Sequence, residues 1–189
     1  DLNFDKTKDR LIALGDLVDR GNHSHLILNY IDQDWFVSVR GNHEDLTSLS
    51  YLGDPLYVDN HVRNGGFWFE EMSPKNREII NNYFISLPIM LETIVNGKSI
   101  GFVHADIKDW DTSKYIIKDL SYEKSLLDYT CNSLQWGRSR IKQKNSIRCK
   151  GIDHVFLGHT PMKEMVTLGN CSFIDTAACF GNKLTIINI

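Results

Sequence analysis

Leu11–Glu44 reads LIALGDLVDRGNHSHLILNYIDQDWFVSVRGNHE, and this stretch decides the fold. Two apolar runs, Leu11–Leu14 and Trp35–Val39, each end in a polar turn that contains glycine. Between them, Asn22–Asp34 carries Leu26, Ile27, Tyr30 and Ile31 at helical spacing, with Asn22 or Ser24 placed to cap a helix. The pattern predicts strand, turn, helix, strand, turn. In such units ligands bind where the turns converge, at the carboxyl ends of the strands. The groups converging here are carboxylates, an amide, a histidine and two arginines. Oxygen and imidazole suit a divalent metal, and guanidinium forks suit a phosphate.

Outward from this unit, further apolar runs end in histidine. Ser99–Val103 delivers His104 and Asp106, and Val155–Leu157 delivers Gly158 and His159. Asn96-Gly97 between two β-rich runs, Ile89–Val95 and Ser99–Val103, predicts a hairpin. Ser73-Pro74 predicts a helix start, with serine at the N-cap and proline at the first helical position, running towards Ile85. Residues 45–88 read as a helical cap over the sheet, and Asp45–Tyr51 as a helical turn stopped by Gly53-Asp54-Pro55. Lys108–Asn132 reads as an insertion bordering the site, with Tyr122–Tyr129 helical, and Lys142–Lys150 as a loop. Ser172–Ile174 and Leu184–Ile189 read as closing strands. Period and composition alone support only a mixed α and β chain.

The motifs GDLVDRG (15–21) and RGNHE (40–44), with FVHAD (102–106), WGR (136–138), LGHTP (157–161) and FIDT (173–176), resemble the calcineurin-like metallophosphoesterases. Within them the resemblance is to the phosphoprotein phosphatase group, and there to the bacteriophage lambda-type Ser/Thr phosphatases. It spans nearly the whole chain. It implies an α+β fold, a four-layer α/β/β/α sandwich with a small helical cap, as one domain over residues 1–189. It also implies a Gly-Asp-x-His-Gly motif on a preceding strand. That motif is absent, so the native protein is expected to be longer at its N-terminus, with two ligands of a first metal lying there.

By the same resemblance, Asp16, Asn42, His104 and His159 are expected metal ligands, with Asp16 bridging two divalent ions. Mn²⁺ is the first expectation, with Fe or Zn as alternatives. His43 is the expected general acid and Asp19 its orienting partner. Arg20, Arg40 and Arg138 are the expected phosphate-binding arginines. Each has a plainer reading: a turn carboxylate, a left-handed amide beside Gly41, packed histidines, an Asp19–Arg20 ion pair, surface arginines. Glu44 is expected to fix its turn by hydrogen bonding and Asp175 to support the site. His23, His25, His61 and His154 are read as packing or surface residues, His61 standing out beside Asn64-Gly65-Gly66.

The implied activity is a protein serine/threonine phosphatase, extending to tyrosine, in which a metal-bridging hydroxide attacks phosphorus in line. The alternatives are a symmetrical dinucleoside polyphosphate hydrolase and a non-catalytic metal- or phosphate-binding module. Asp19 and Glu44 point to the phosphatase side. The expected partner is a phosphoprotein or phosphopeptide. With 189 residues, 42% hydrophobic and 24% charged, the chain has the composition of an ordinary globular domain. A net charge of −3 speaks against nucleic acid as a partner. No apolar run is long enough to span a membrane. Four scattered cysteines, Cys131, Cys149, Cys171 and Cys179, show no zinc spacing and read as free thiols of a cytoplasmic protein.

Overall fold

The computed structural model describes residues 3–111 and 129–189. Its fold is α+β. Strands β1 (Leu11–Ala13) and β2 (Phe36–Ser38) pair in parallel, Leu11 opposite Phe36, joined through the polar turn 15–21 and a 3₁₀ helix, Ser24–Asn29. That helix is shorter and tighter than the predicted one. Neither Asn22 nor Ser24 caps it: the cap position is His23, and the Ser24 hydroxyl accepts the Asp19 backbone N–H at 2.9 Å instead. Serving the turn displaces serving the helix.

Four helices follow: α1 (Asn42–Tyr51), α2 (Pro55–Arg63), α3 (Phe67–Glu70) and α4 (Pro74–Ser86). The first begins earlier than predicted, directly at Asn42, because Glu44 Oε2 accepts the Gly41 N–H at 2.7 Å and closes its first turn. Helix α4 starts as predicted, with Ser73 Oγ accepting from Asn76 N and proline at the first position.

A five-stranded mixed sheet runs β3 (Met90–Val95), β4 (Lys98–Val103), β5 (His154–Leu157), β7 (Cys171–Phe173), β6 (Val166–Leu168). The β3–β4 hairpin turns at Asn96 and Gly97, both left-handed (φ 51° and 77°), which is why an Asn-Gly pair suits it. Strands β4, β5 and β7 are parallel, so Val103, Leu157 and Phe173 end on one edge and the turns carrying His104, His159 and Asp175 open on the same side. Helices α5 (Tyr129–Trp136) and α6 (Ser139–Lys142) precede β5.

Three apolar clusters separate the layers. Val39, Phe102 and Phe156 with Ile12, Leu14 and Ile174 fill the space between the two sheets. Val103, Leu134, Val155, Leu157 and Phe173 pack on the opposite face of the larger sheet. Phe69, Ile80 and Phe84 join α3 and α4 to Val18 and Ile27. These layers are the sandwich expected from the resemblance. Burying nine such side chains to zero exposure places most of the apolar driving force here.

Two further expectations differ from the structure. Leu184–Ile189 is not a strand; it runs without ladder pairing, and Leu184 is 74% exposed. Strand β6 was not foreseen. Residues 112–128, which hold most of the predicted insertion Lys108–Asn132 and all but Tyr129 of the predicted helix Tyr122–Tyr129, lie outside the described residues. Of the predicted loop Lys142–Lys150, residues 143–150 carry no helix or strand, while Lys142 forms the end of α6. Cys149, Cys171 and Cys179 are free thiols.

Candidate active site

A cavity of about 680 Å³ opens at the carboxyl ends of the strands, walled by Asp16, Asp19, Arg20, Asn42, His43, His104, Arg138 and His159 among others. The backbone that delivers these groups is contorted. Asp16, Asp19, Arg20 and His159 all have φ between 53° and 75°, an uncommon conformation for residues with a Cβ. Clusters of such outliers occur where the surrounding structure over-determines a functional geometry. Gly15 (φ 79°) has no Cβ for two reasons: the left-handed turn, and Gly41 N, which would lie 2.6 Å from one.

Glu44 holds the two motif turns together. Fully buried, it accepts backbone N–H groups from Asp16 (2.9 Å), Leu17 (2.7 Å) and Gly41 (2.7 Å). The turn-fixing role expected of it is what the structure shows. Burial, then the nearby Asp16 carboxylate, push Glu44 up to about 8, against the pull of its three donors.

Asp16, Asn42, His104 and His159 come together. His104 Nδ1 lies 2.5 Å from the Leu14 carbonyl, which has only lone pairs to offer, so Nδ1 carries the hydrogen. His104 Nε2 therefore presents a lone pair. It faces Asn42 Oδ1 at 2.9 Å, His159 Nδ1 at 3.2 Å and Asp16 Oδ1 at 3.2 Å. His159 Nδ1 is in turn 2.8 Å from Asn42 Oδ1. Burial, then the facing His104, push His159 down to about 3, so it is neutral near pH 7. Its Nε2 is buried without a partner. Lone pairs thus converge on one point with few hydrogens to share among them. A divalent cation there would satisfy them all, and Asp16, His104 and His159 offer ligand atoms within 4.8 Å of one another. The residues present fit a metal ion.

Beside this cluster, His43 Nδ1 meets Asp19 Oδ2 at 2.5 Å, both side chains almost wholly buried. Burial would lower His43, but its hydrogen bond to Asp19 and the charges of Asp16 and Asp19 outweigh it and raise its pKa. Burial likewise opposes ionisation of Asp19, and His43, His61 and Trp68 overcome it, leaving its pKa lowered. Both directions favour an ionic pair.

The three arginines are placed differently. Arg20 and Arg138 are exposed on the cavity wall, and the Arg20 guanidinium lies 5.7 Å from the Phe180 ring. Arg40 is 7% exposed, its Nε 3.4 Å from Asp45 Oδ1 and its Nη1 donating to the Ile85 carbonyl at 3.4 Å. Gln135 Nε2 also donates to Asp45. Asp175 caps its own turn, accepting Ala177 N–H at 2.9 Å.

The sequence model of calcineurin-like phosphoesterases matches residues 1–164. The chain belongs to the calcineurin-like phosphoesterase family. It is 30% identical over 189 residues to serine/threonine-protein phosphatase 1 of Salmonella typhimurium, covering 98% of this chain and 81% of that protein. It is 28% identical to an asymmetrical bis(5'-nucleosyl)-tetraphosphatase, PrpE, of Bacillus velezensis, over 95% of this chain and 74% of that one. In fold it is similar to a crystal structure of a putative diadenosine tetraphosphatase, with TM-score 0.57 and 15% identity, covering 94% and 74% of the two chains.

As a calcineurin-like phosphoesterase the chain is a hydrolase that works with divalent metal. Reading the sequence for this site missed His61 and Trp68. His61 Nε2 lies 3.1 Å from Asp19 Oδ1, and Trp68 Nε1 donates to the same oxygen at 2.7 Å. The expectation that His61 is an ordinary packing residue is corrected by this contact. The available signal was Gly66: a Cβ there would collide with the His61 ring, while its φ of −87° needs no glycine.

Proposed function

We propose that this phosphoesterase is a dinuclear-metal phosphomonoesterase acting on phosphoserine and phosphothreonine in proteins, with phosphotyrosine a further substrate. The observation that carries the reading is the His43–Asp19 pair opening into the same cavity as the metal-ready cluster. Asp16, Asn42, His104 and His159 would hold metal, Mn²⁺ first, and bound metal supplies Lewis-acid charge and a water made nucleophilic near neutral pH. Arg20 and Arg138 bind the phosphoryl oxygens from the cavity wall, with Arg40 the third arginine of the set, its guanidinium against Asp45. Their forks hold phosphorus for in-line attack and offset charge gathering on its oxygens. Protonated His43 passes its proton to the departing seryl or threonyl oxygen, and Asp19 holds the imidazole in line. The proposed setting is the cytoplasm; among the described residues no helix is long and apolar enough to cross a membrane.

The test is His43→Asn, assayed on a phosphoserine peptide and on p-nitrophenyl phosphate. A serine alkoxide needs the proton and p-nitrophenolate needs it less. The peptide rate should fall about 10²–10⁴-fold, the aryl rate clearly less, with metal content unchanged. Equal losses, with metal lost, would make His43 a ligand instead.

A second reading, hydrolysis of dinucleoside tetraphosphates, is favoured by the PrpE relative. Turnover of diadenosine tetraphosphate far above that of the phosphopeptide would select it.

A further inference from the structure

His61 lies on α2, remote from the motifs, yet its side chain has no exposed surface. Three features aim it at one atom. Its Nε2 is 3.1 Å from Asp19 Oδ1 and 3.1 Å from Thr47 Oγ1. Thr47 Oγ1 gives its own hydrogen to the His43 carbonyl at 2.9 Å, so the His61 hydrogen is the one shared at Nε2. The far nitrogen, Nδ1, is buried without a partner. The ring is held in place by the bare backbone of Gly66 on one side and the edge of Phe69, 5.9 Å away.

A carboxylate that offers one oxygen to a catalytic imidazole still rotates about its own axis unless its other oxygen is held. Asp19 Oδ1 takes two donors, His61 and Trp68, from α2 and from α3, and Oδ2 is left for His43. An unpaired nitrogen in a buried ring is costly, of order 1–3 kcal/mol, so packing alone would favour an apolar side chain here. The cost is retained for the sake of the bond at Nε2.

We propose that His61 is a positioning residue for proton donation: through Asp19 Oδ1 it fixes the carboxylate that orients His43. The inference rests on the phosphomonoesterase reading for its kinetic consequence, but not for its structural one. Both donors come from helices between the two halves of the motif set, so the region above the sheet takes part in orienting the acid as well as covering the site.

The experiment compares metal-loaded wild type with His61→Leu, which keeps volume and loses the donor, and His61→Gln, whose amide nitrogen reaches about where Nε2 was. Rates are measured on phenyl phosphate, a poor leaving group, and on p-nitrophenyl phosphate, a good one. Loss of an outer partner of this kind is typically worth about 10–100-fold. For His61→Leu, kcat on phenyl phosphate should fall by that much, p-nitrophenyl phosphate much less, with KM for both and metal content unchanged. His61→Gln should recover most of the loss. A role in packing alone would lower both substrates together, would show as a lower Tm, and would not be rescued by glutamine; that result overturns the proposal. The second readout needs no turnover: the deshielded Nδ1 proton of His43 in its short bond to Asp19, followed by proton–nitrogen correlation spectra. It should move in His61→Leu and return in His61→Gln, and an unmoved resonance overturns the proposal. If wild type hydrolyses neither ester, the function proposed above fails while this resonance still decides the role of His61. If His61→Leu does not fold, His61→Asn, too short to reach Asp19, takes its place with the same outcomes.

Discussion

Asp19 Oδ2 lies 2.5 Å from His43 Nδ1, the one in the turn that follows β1 and the other in the first turn of α1, which follows β2. Neither side chain is exposed enough for water to replace its partner. The pair is therefore both a charge device and a cross-brace between the β1 turn and α1.

Its pH behaviour follows from the signs. The raised pKa of His43 keeps the imidazole protonated beyond its usual 6.5, so its contribution to stability is complete below about 6.5 and lost as pH rises through the raised value. The lowered Asp19 contributes above about 3.8, and that contribution is lost as pH falls through the lowered value. For turnover of a phosphoserine peptide, the alkaline limb of kcat against pH should lie above 6.5. In Asp19→Asn it should move to lower pH. A limb that stays in place would separate His43 from the observed titration.

Removal of metal should abolish turnover and lower Tm, because the lone pairs of Asn42, His104 and His159 then face one another unrelieved. His104→Asn should lose metal, by elemental analysis, and depress phosphopeptide and p-nitrophenyl phosphate together. Full turnover after dialysis against excess chelator would exclude a metal-dependent reaction.

Arg20 and Arg40 should part company when changed to alanine. Arg20 is exposed at the cavity, so Arg20→Ala should raise KM or inorganic phosphate Ki by about 10–100-fold at nearly constant Tm, the worth of a hydrogen bond between charged groups. Arg40→Ala takes the guanidinium from the buried Asp45 and should cost about 3–5 kcal/mol in denaturant unfolding. Like effects on KM and on stability from both variants would remove this distinction.

Glu44→Gln tests the clasp between the two motif turns. All three partners of Glu44 are N–H donors, so a carboxamide must turn its own N–H₂ against at least one of them. A loss of about 1–3 kcal/mol is expected, read by urea unfolding, with activity falling as the Asp16 turn shifts. No change in either would mean the turns are fixed by other contacts.

The parts of this arrangement that were legible in the sequence share a cause. Asp16, Asn42, His104 and His159 follow apolar strands directly, so strand order and parallel pairing bring them to one edge. His61 and Trp68 were not legible, since they reach Asp19 across 42 and 49 residues through helix packing that no local period encodes. The buried setting of Arg40 depends on Asp45, a helix residue that reads as solvent-facing until α1 is seen to be buried along most of its length. Strand β6 is only Val166–Leu168, too short for alternation to register. Leu184–Ile189 has strand composition, but composition does not supply an edge to pair with.

The left-handed residues around the cavity bear on how this protein would evolve in the laboratory. Arg20 sits at φ 60° and is exposed, so glycine in its place would relieve backbone strain of order 1 kcal/mol and lose no core packing. A screen that rewards survival of heating and ignores turnover should therefore enrich glycine at position 20. A screen that rewards turnover should hold arginine there. The two selections pull one codon in opposite directions, and the ratio of glycine to arginine recovered would gauge how heavily each pressure weighed on the population.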